Sequence, residues 1–470
     1  MIDTKAIRSK ILDLAMRGKL TEQLPEDGTA EELYRQIQAE KQALIKAGKI
    51  KKEKPLPEIA VDEVPFEIPT NWKWVVFGKV ITLQSGQDLK PEEYNACENG
   101  LPYLTGASNY NENGQLIINR WTEQPKNLAI KGDILLSCKG TVGKLAILAV
   151  DRVHIARQFM AIRTYNVNVR FVALFMQSVI EGIKKASKGL IPGIERNDIL
   201  RLSLPLPPLA EQHRIVARIE QAFSALDTID ALQAKYADNL AVLKSKLIDA
   251  AIQGKLTKQL PEDGTAEELY QQIQAEKAKL IKEGKIKKEK PFSTNIQFQD
   301  FPFDIPDTWV FVRFGELMIS RDSERVPVST DERAHRAKVY DYYGASGVID
   351  QIDDYLFDKE LLLIGEDGAN LLARSAPIAF LAHGKYWVNN HAHVLDACTG
   401  LDLKYVCYYI NAISLAPYVT GTAQPKMNQE NMNAIWVPLP PLAEQKRIVE
   451  KIEEAMVVCD SWLPKMGKDK

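Results

Sequence analysis

Residues 204–212 have the sequence Leu-Pro-Leu-Pro-Pro-Leu-Ala-Glu-Gln, and they lead into the longest helical pattern of the 470-residue chain. From 208 to 253 there is no internal glycine or proline, and Gly254 is placed to end a helix. Apolar and small residues recur at steps of three and four, which keeps one seam of a helix apolar. The seam comprises Ile215, Ile219, Ala222, Leu226, Ile229, Tyr236, Leu240, Leu243, Leu247 and Ala250. Leu232-Gln233 interrupts it once, which predicts a local stagger.

A helix of this length is roughly 65 Å long at 1.5 Å per residue. An apolar seam that long needs a partner helix to cover it. An ordinary helix inside a large globular core is the alternative interpretation. The sequence therefore predicts a long helical rod, and the partner has to be found elsewhere in the chain.

Internal repeats at the two termini supply that partner. Residues 10–55 align with residues 246–291 with 36 of 46 positions identical, and residues 437–453 align with 204–220 with 13 of 17 identical. The N-terminus thus repeats the downstream half of the central element, and the C-terminus repeats its upstream half. Such a cyclically arranged repeat predicts a second rod, built from both termini and packed antiparallel on the first, with a pseudo-twofold axis.

Each repeat also predicts a second, shorter helix. Thr29 and Glu32 have the spacing of a capping box, and Thr265 with Glu268 repeats it. A lysine-rich run follows each helix, at residues 49–55 and 285–291. These runs are typical either of DNA phosphate contacts or of a solvated hinge, and the sequence leaves both open.

Two inserted domains of dissimilar sequence occupy residues 56–203 and 291–436. Both begin with an Ile-Pro-x-x-Trp motif, at residues 68–72 and 305–309. Their patterns predict mixed α/β structure, with strands at 74–83, 133–137, 145–150 and 159–164 and a helix at 171–185 in the first domain. In the second domain we expect strands at 309–318, 361–364, 376–382 and 393–396 and a helix at 403–413. The remaining segments are the half-repeats 1–55 and 437–470 and the central long-helix repeat 204–290.

Several loops of these domains carry side chains that can contact base edges or phosphates. They follow apparent strands at comparable places in the two domains, although each single loop is more often an ordinary turn. The candidate DNA contacts are Ser108, Asn109, Tyr110, Lys139, Arg157, Gln158, Arg321, Arg325, Ser346, Asn370, Asn389, Asn390 and His391.

The charge balance limits what the chain can bind alone. The formal net charge is −2, and residues 291–437 contain 11 basic against 19 acidic residues. A local basic stripe is predicted there, from Arg313 to Lys338. If the chain binds DNA, we expect a partner to supply much of the backbone affinity.

Other classes of protein are disfavoured by missing motifs. There is no Asn/Asp-Pro-Pro-aromatic methyltransferase turn, and residues 139–144 lack the first glycine and the spacing of a phosphate-binding loop. Five scattered cysteines contain no CxxC pair, and no apolar run approaches a membrane span. A metal site at His391 and His393 is disfavoured because no second ligand cluster exists. We expect a cytoplasmic protein with no catalytic residues and no metal.

The repeated motif Pro-Leu-Pro-Pro-Leu-Ala-Glu-Gln-x-Arg-Ile-Val, at 205–216 and 438–449, resembles the DNA-specificity subunit of type I restriction–modification systems. The Ile-Pro-x-x-Trp openings fit that family, and the resemblance covers essentially the whole chain. It implies an α+β fold, with two mixed α/β target-recognition domains held apart by a pair of long antiparallel helices. It also implies a non-catalytic subunit whose domains each recognise one half of a bipartite, asymmetric DNA site.

The same resemblance implies partners. Two methylation subunits would bind the helical elements and use S-adenosylmethionine to methylate adenine, and restriction subunits would join in some complexes. This chain itself would bind no cofactor. We predict docking at the two proline-rich motifs, through Pro207, Pro208, Glu211, Gln212, Pro440, Pro441, Glu444 and Gln445. A coiled-coil scaffold for proteins or ligands, and a single-chain nuclease, are the competing hypotheses.

Overall fold

The computed structural model describes residues 1–52, 54–59, 64–111, 115–186, 193–288, 301–421 and 424–462. The chain divides into two compact units, one comprising Ile2–Gln233 and the other Ala234–Lys470 together with Met1. Each unit has its own apolar core. The end of the second lysine-rich run, residues 289–291, lies outside the described residues.

The first unit contains helices around two small sheets. Its elements are α1 (Thr4–Met16), α2 (Ala30–Lys46), β1 (Lys73–Val76), α3 (Phe77–Val80), β2 (Ile81–Ser85), β3 (Leu101–Leu104), β4 (Trp121–Thr122), β5 (Leu128–Ile130), β6 (Ile134–Ser137), β7 (Leu145–Ile147), β8 (Arg152–Ile155), β9 (Phe159–Thr164), α4 (Val169–Ala186), α5 (Arg196–Leu200), β10 (Ser203–Leu206) and the first part of α6 (Leu209–Ile252).

The second unit repeats this arrangement after the rest of α6. Its elements are α7 (Ala266–Lys282), β11 (Val310–Arg313), α8 (Phe314–Leu317), β12 (Met318–Ser320), α9 (Thr330–Ala334), β13 (Tyr340–Gly344), β14 (Gly347–Ile352), β15 (Phe357–Asp358), β16 (Leu361–Gly365), α10 (Asn370–Ala373), β17 (Ala379–Ala382), β18 (Lys385–Val388), β19 (Ala392–Ala397), α11 (Leu403–Ala412), α12 (Gln429–Asn433), β20 (Trp436–Leu439) and α13 (Leu442–Ser461).

The two sheet-containing domains share one topology despite their dissimilar sequences. The strand orders are β2-β9-β6-β7 and β4-β3-β8-β5 in the first, and β12-β19-β16-β17 and β14-β13-β18-β15 in the second. The pairing of β3 with β8 is parallel, as is the corresponding pairing of β13 with β18. A two-stranded antiparallel ribbon precedes each long-helix motif, formed by β1 with β10 and by β11 with β20. The mixed α/β prediction is confirmed for both domains.

The strand prediction for 74–83 is wrong in one respect, and so is that for 309–318. Each segment is two strands separated by a four-residue helix, α3 or α8. A buried lysine on the neighbouring helix holds each break. Lys41 Nζ donates to the carbonyl oxygens of Gly78 and Ile81, and Lys277 donates to those of Gly315 and Met318. These tertiary contacts over-ride the local strand pattern.

The long helix is confirmed, and Gly254 follows it with a φ of 70°. In the first unit α1 packs antiparallel on α6, since Thr4 Oγ1 donates to Asp230 over 2.6 Å and Arg8 contacts Asp227 over 2.8 Å. In the second unit α13 packs antiparallel on the other part of α6, where Tyr236 Oη donates to the carbonyl of Trp462.

The apolar seam of α6 is less continuous than predicted. Ile215, Ile219, Leu226 and Leu240 are buried. Tyr236 and Leu243 are 43% and 37% exposed, so they do not complete the seam. No described helix is long and apolar enough to cross a membrane.

Candidate nucleic-acid interface

A buried carboxylate in each proline-rich motif joins α6 to the turn after α1 in the first unit, and α13 to the turn after α6 in the second. Glu211 accepts hydrogen bonds from Thr21 Oγ1, Gln23 Nε2 and Trp72 Nε1 at 3.0, 2.9 and 2.8 Å. Glu444 accepts the corresponding three bonds, each over 2.8 Å, in the second unit. These contacts attach the first strand of each domain to its helices.

The structure corrects the predicted docking residues. All eight are buried: Pro207, Pro208, Glu211, Gln212, Pro440, Pro441, Glu444 and Gln445. Gln212 Nε2 donates to the carbonyl of Pro207 over 2.9 Å, and Gln445 Nε2 donates to that of Pro440. Because their polar atoms are used inside the fold, these residues stabilise the junction and do not present a surface to a partner.

In the first unit the candidate loops meet at one end of the two sheets. Loop residues after β3, β6 and β8 lie together there, because the backbone nitrogens of Cys138 and Ala156 donate to the carbonyls of Gln158 and Leu104. Ser108, Lys139 and Arg157 are exposed at this end, and Gln158 is partly exposed. The guanidinium of Arg157 forms an ion pair with Asp88 over 2.7 Å. The structure thus brings together a set of side chains that can contact a polyanion.

Two of the predicted DNA-contacting residues in the loop after β3 have buried side chains. Asn109 is fully buried, and its Oδ1 accepts from the backbone nitrogens of Thr105 and Gly106 at 2.7 and 3.1 Å. Tyr110 is 7% exposed, and burial raises its pKa above the usual range. Both predictions are therefore corrected: these side chains shape the loop, and Ser108 is the exposed member of the three.

The second unit gathers the matching loops at the same end of its sheets. Loops after β12, β13, β16 and β18 meet there, since Asn389 N donates to the carbonyl of Tyr343 and Glu366 N donates to that of His391. Ser346, Asn390 and His391 are exposed. The predicted equivalence of the two loop sets is confirmed in position.

Asn370 and Asn389 have structural contacts in these loops. Asn370 Oδ1 accepts from Ser375 Oγ and Ala376 N, both at 3.1 Å. Asn389 is 5% exposed, and its Oδ1 accepts from His391 N over 2.8 Å. Asn389 is corrected to a buried turn residue, whereas Asn370 remains partly exposed.

The cations of the local basic stripe in the second unit have partners within the fold. Each of its cations has a carboxylate partner or an aromatic one. The pairs are Arg321 with Asp396, Arg325 with Glu366, Arg333 and Lys338 with Asp350, Arg336 with Asp353, and Arg313 over the ring of Trp436. The stripe therefore holds the domain together, and its prediction as a phosphate-binding surface is corrected.

A buried ionic cluster lies directly beneath the loops of the second unit. His393 Nδ1 contacts Asp322 Oδ2 at 2.6 Å and its Nε2 contacts the carbonyl of Met427 at 2.9 Å. Burial opposes protonation of His393, but the hydrogen bond and charge of Asp322, with the charge of Glu366, raise its pKa overall. Burial would raise the pKa of Asp322, but His393 and Arg325 lower it overall. The contacts of this cluster therefore favour the charged form of both side chains.

Sequence reasoning missed several residues that support these loops. Asp88, which pairs with Arg157, and Lys426, which lies 3.2 Å from Glu366, carry no recognisable local motif. Asp322 is separated from His393 by 71 residues. The tertiary fold of each domain, and no local motif, brings such residues together.

Comparison with known proteins agrees with this architecture. The profile of the family described as "Type I restriction modification DNA specificity domain" matches residues 69–235 and 306–455. The chain is 27% identical to the Type I restriction enzyme EcoEI specificity subunit of Escherichia coli, over 97% of this chain and 89% of that protein. It is 30% identical to the EcoAI specificity subunit of Escherichia coli, over 67% of this chain and 62% of that protein.

A solved structure has a related fold. Its description reads "Structural basis underlying complex assembly and conformational transition of the type I R-M system". It superposes with a TM-score of 0.59 at 18% identity, covering 85% of this chain and 93% of the other. The two matched segments of the family profile together span more than half of the sequence and contain both loop sets. The chain therefore belongs to the family of type I restriction–modification DNA specificity subunits.

Proposed function

We propose that each sheet-containing domain recognises one half of a bipartite, asymmetric DNA site. The main support for the proposal is that the two domains have the same strand topology but carry different loop sequences at the corresponding end of their sheets. A shared topology places the loops equivalently, whereas different side chains select different bases. The chain acts as a non-catalytic specificity subunit, and we assign the domains as residues 56–203 and 291–436.

The long helix and its terminal partners set the number of unread base pairs between the two half-sites. Removing one helical turn shortens a rod by about 5.4 Å. At about 3.4 Å per base pair, the spacer should change by one or two base pairs. Shortening α6 by one turn within residues 231–236, with one turn from the end of α13, should therefore alter the spacer and leave both half-sites intact.

Two methylation subunits bind the helical part and supply the chemistry. S-adenosylmethionine belongs to those subunits, which methylate adenine, and restriction subunits join the complex in some systems. The buried proline-rich motifs do not offer the docking surface, so it is formed by exposed residues of the helices around them.

Methylome sequencing of a host that expresses the chain with its methylation subunit tests this function. The expected result is a two-part asymmetric motif with a fixed unread spacer. A continuous or palindromic motif would refute the bipartite assignment. Replacing residues 291–436 with the matching domain of another specificity subunit should change one half of the motif only.

A further inference from the structure

Two basic segments of nearly identical sequence follow α2 and α7. These lysine segments are residues 46–55 and 282–291, and nine of their ten positions are identical, with Ala47 replaced by Glu283. The structure describes the first segment except Glu53, and the second as far as Lys288. Neither segment is used in the loop sets described above.

The backbone of each lysine segment is fixed at its start by a complete helix C-cap. Gly48 has a φ of 67°, its nitrogen donates to the carbonyl of Ile45 over 3.0 Å, and Lys49 N donates to that of Leu44 over 2.9 Å. The corresponding bonds after α7 also measure 3.0 and 2.9 Å. Ile50 is half-buried and packs against the apolar core. The cap and this apolar contact hold the adjacent lysines at the surface.

The described lysines of these segments are exposed and, with one exception, have no ion-pair partner in the described parts of the chain. The unpaired members are Lys46, Lys49, Lys51, Lys52, Lys54, Lys282, Lys287 and Lys288. Lys285 pairs with Glu283 over 2.8 Å. The basic stripe of the second unit differs, because its cations other than Arg313 are paired with carboxylates. Each lysine segment therefore carries a run of exposed lysines close together in sequence, most of them without an ion-pair partner.

The two copies keep all of these lysines, although they differ at some buried positions. The buried residues Leu12 and Met16 of the first repeat are replaced by Ile248 and Ile252 in the second. The exposed lysines are kept, although surface positions are usually the freest to change. Lysines near a helix C-terminus interact favourably with its dipole, but that effect ends within the last turn. It does not account for Lys51, whose position lies beyond the helix.

We propose that residues 46–52 and 282–288 of the two lysine segments bind the phosphate backbone of duplex DNA without contacting base edges. The inference rests on the DNA-recognition function of the chain. A flexible ammonium group is a point charge that suits a phosphate oxygen and carries little base information. Contacts of this kind supply sequence-independent affinity and release counterions, so binding weakens steeply with salt.

The salt dependence of binding to random-sequence duplex DNA tests the proposal with the full chain. Fluorescence anisotropy would give log K against log salt between roughly 50 and 200 mM. The test variant changes Lys49, Lys51, Lys52, Lys287 and Lys288 to glutamine, and circular dichroism would check its folding. Each lysine–phosphate pairing that these substitutions remove should lower the slope by about 0.9. The same five positions changed to arginine should keep the native slope.

A matched control removes the same number of exposed lysines elsewhere. It changes Lys5, Lys131, Lys185, Lys235 and Lys246 to glutamine. An unchanged slope in the test variant, or an equal fall in the control, would overturn the proposal. The proposal would also be overturned if the test variant lost binding to phosphatidylserine vesicles but kept its binding to duplex DNA. The methylated motif should stay the same in the test variant, so failure here is distinguishable from failure of the bipartite assignment.

Discussion

The indole nitrogen of Trp72 donates a hydrogen bond to the buried carboxylate of Glu211 over 2.8 Å. Trp72 comes from the opening motif of the first domain, and Glu211 comes from the start of the long helix. Trp309 and Glu444 reproduce the contact at the same distance. A single buried carboxylate thus joins each recognition domain to the helical part.

Replacing Glu211 with alanine should destabilise the first unit by about 3 kcal/mol, because three donors lose their charged acceptor. Glu444→Ala should have a similar effect in the second unit. Denaturant unfolding measures the loss, and hydrogen exchange around residues 21–27 should rise in the first variant only. Glu220 serves as the control, because its ion pair with Arg170 is exposed and Glu220→Ala should cost less than about 1 kcal/mol. Equal stability of the Glu211 and Glu220 variants would contradict the assignment.

Asn109→Ala should lower the free energy of unfolding by about 1 to 3 kcal/mol, since it removes buried hydrogen bonds of Asn109 with Thr105, Gly106 and Ile117. Ser108→Ala, one residue away and exposed, should change stability by less than about 0.5 kcal/mol. Chemical denaturation of the two variants gives the comparison. If Asn109→Ala were as stable as Ser108→Ala, the loop would not depend on this side chain.

The helical part of the fold was predictable from sequence because its signals are local and repeated. The capping boxes at Thr29 and Thr265 are present with both of their hydrogen bonds, and α2 and α7 both end before the lysine-rich runs. The internal repeats also predicted the antiparallel packing of α1 on α6. Apolar residues spaced three and four positions apart, with a glycine at the helix end, predict a helix without any knowledge of tertiary contacts.

The second four-stranded sheet of each domain was not predicted from the sequence. The roles of most site residues also cannot be assigned from the local sequence pattern. Strands β3, β8, β13 and β18 are short, and they pair in parallel, β3 with β8 and β13 with β18, through long connections. An asparagine such as Asn109 can contact a base edge, yet in the structure its side chain accepts a hydrogen bond from the backbone of its own loop. Polar side chains suit both roles, so only burial and partners distinguish them.

Arg157→Ala should weaken DNA binding with little effect on folding. Its side chain is 67% exposed and its ion pair with Asp88 lies at the surface, so its removal should cost less than about 1 kcal/mol of stability. A direct base contact would be worth about 1 to 3 kcal/mol of discrimination. Binding of the complex with its methylation subunit to duplexes carrying the methylated motif measures the change.

Arg152 provides a control of the same residue type. It is exposed at the start of β8, whereas the candidate loops follow the other end of that strand. Arg152→Ala should leave both stability and sequence preference unchanged. Arg325→Ala should instead reduce stability, because its guanidinium donates to Glu366 and to the carbonyl of Ala392 inside the fold. Equal effects of Arg157→Ala and Arg152→Ala on binding would show that the loop end of the sheets is not the DNA-facing end.

The stability of the second unit should depend on pH through His393 and Asp322. The folded pKa of His393 is raised above its unfolded value of about 6.5, so its stabilising contribution is full below that value. The contribution is lost as pH rises through the folded pKa. The folded pKa of Asp322 is lowered from about 3.9, so its contribution is present above that value and lost as pH falls through the folded pKa. Both contributions are present together between about pH 4 and 6.5.

His393→Gln should therefore reduce the free energy of unfolding most at about pH 5 to 6. The difference from the native protein should narrow as pH rises, because the native imidazole then loses its proton. Denaturant titrations from pH 5 to pH 9 measure both curves, with His391→Gln as the exposed control. Arg325, Glu366 and Lys426 surround the pair and also carry charge, but they are unchanged in both variants. A constant difference across this range would show that His393 stabilises the loops through packing and a neutral hydrogen bond alone.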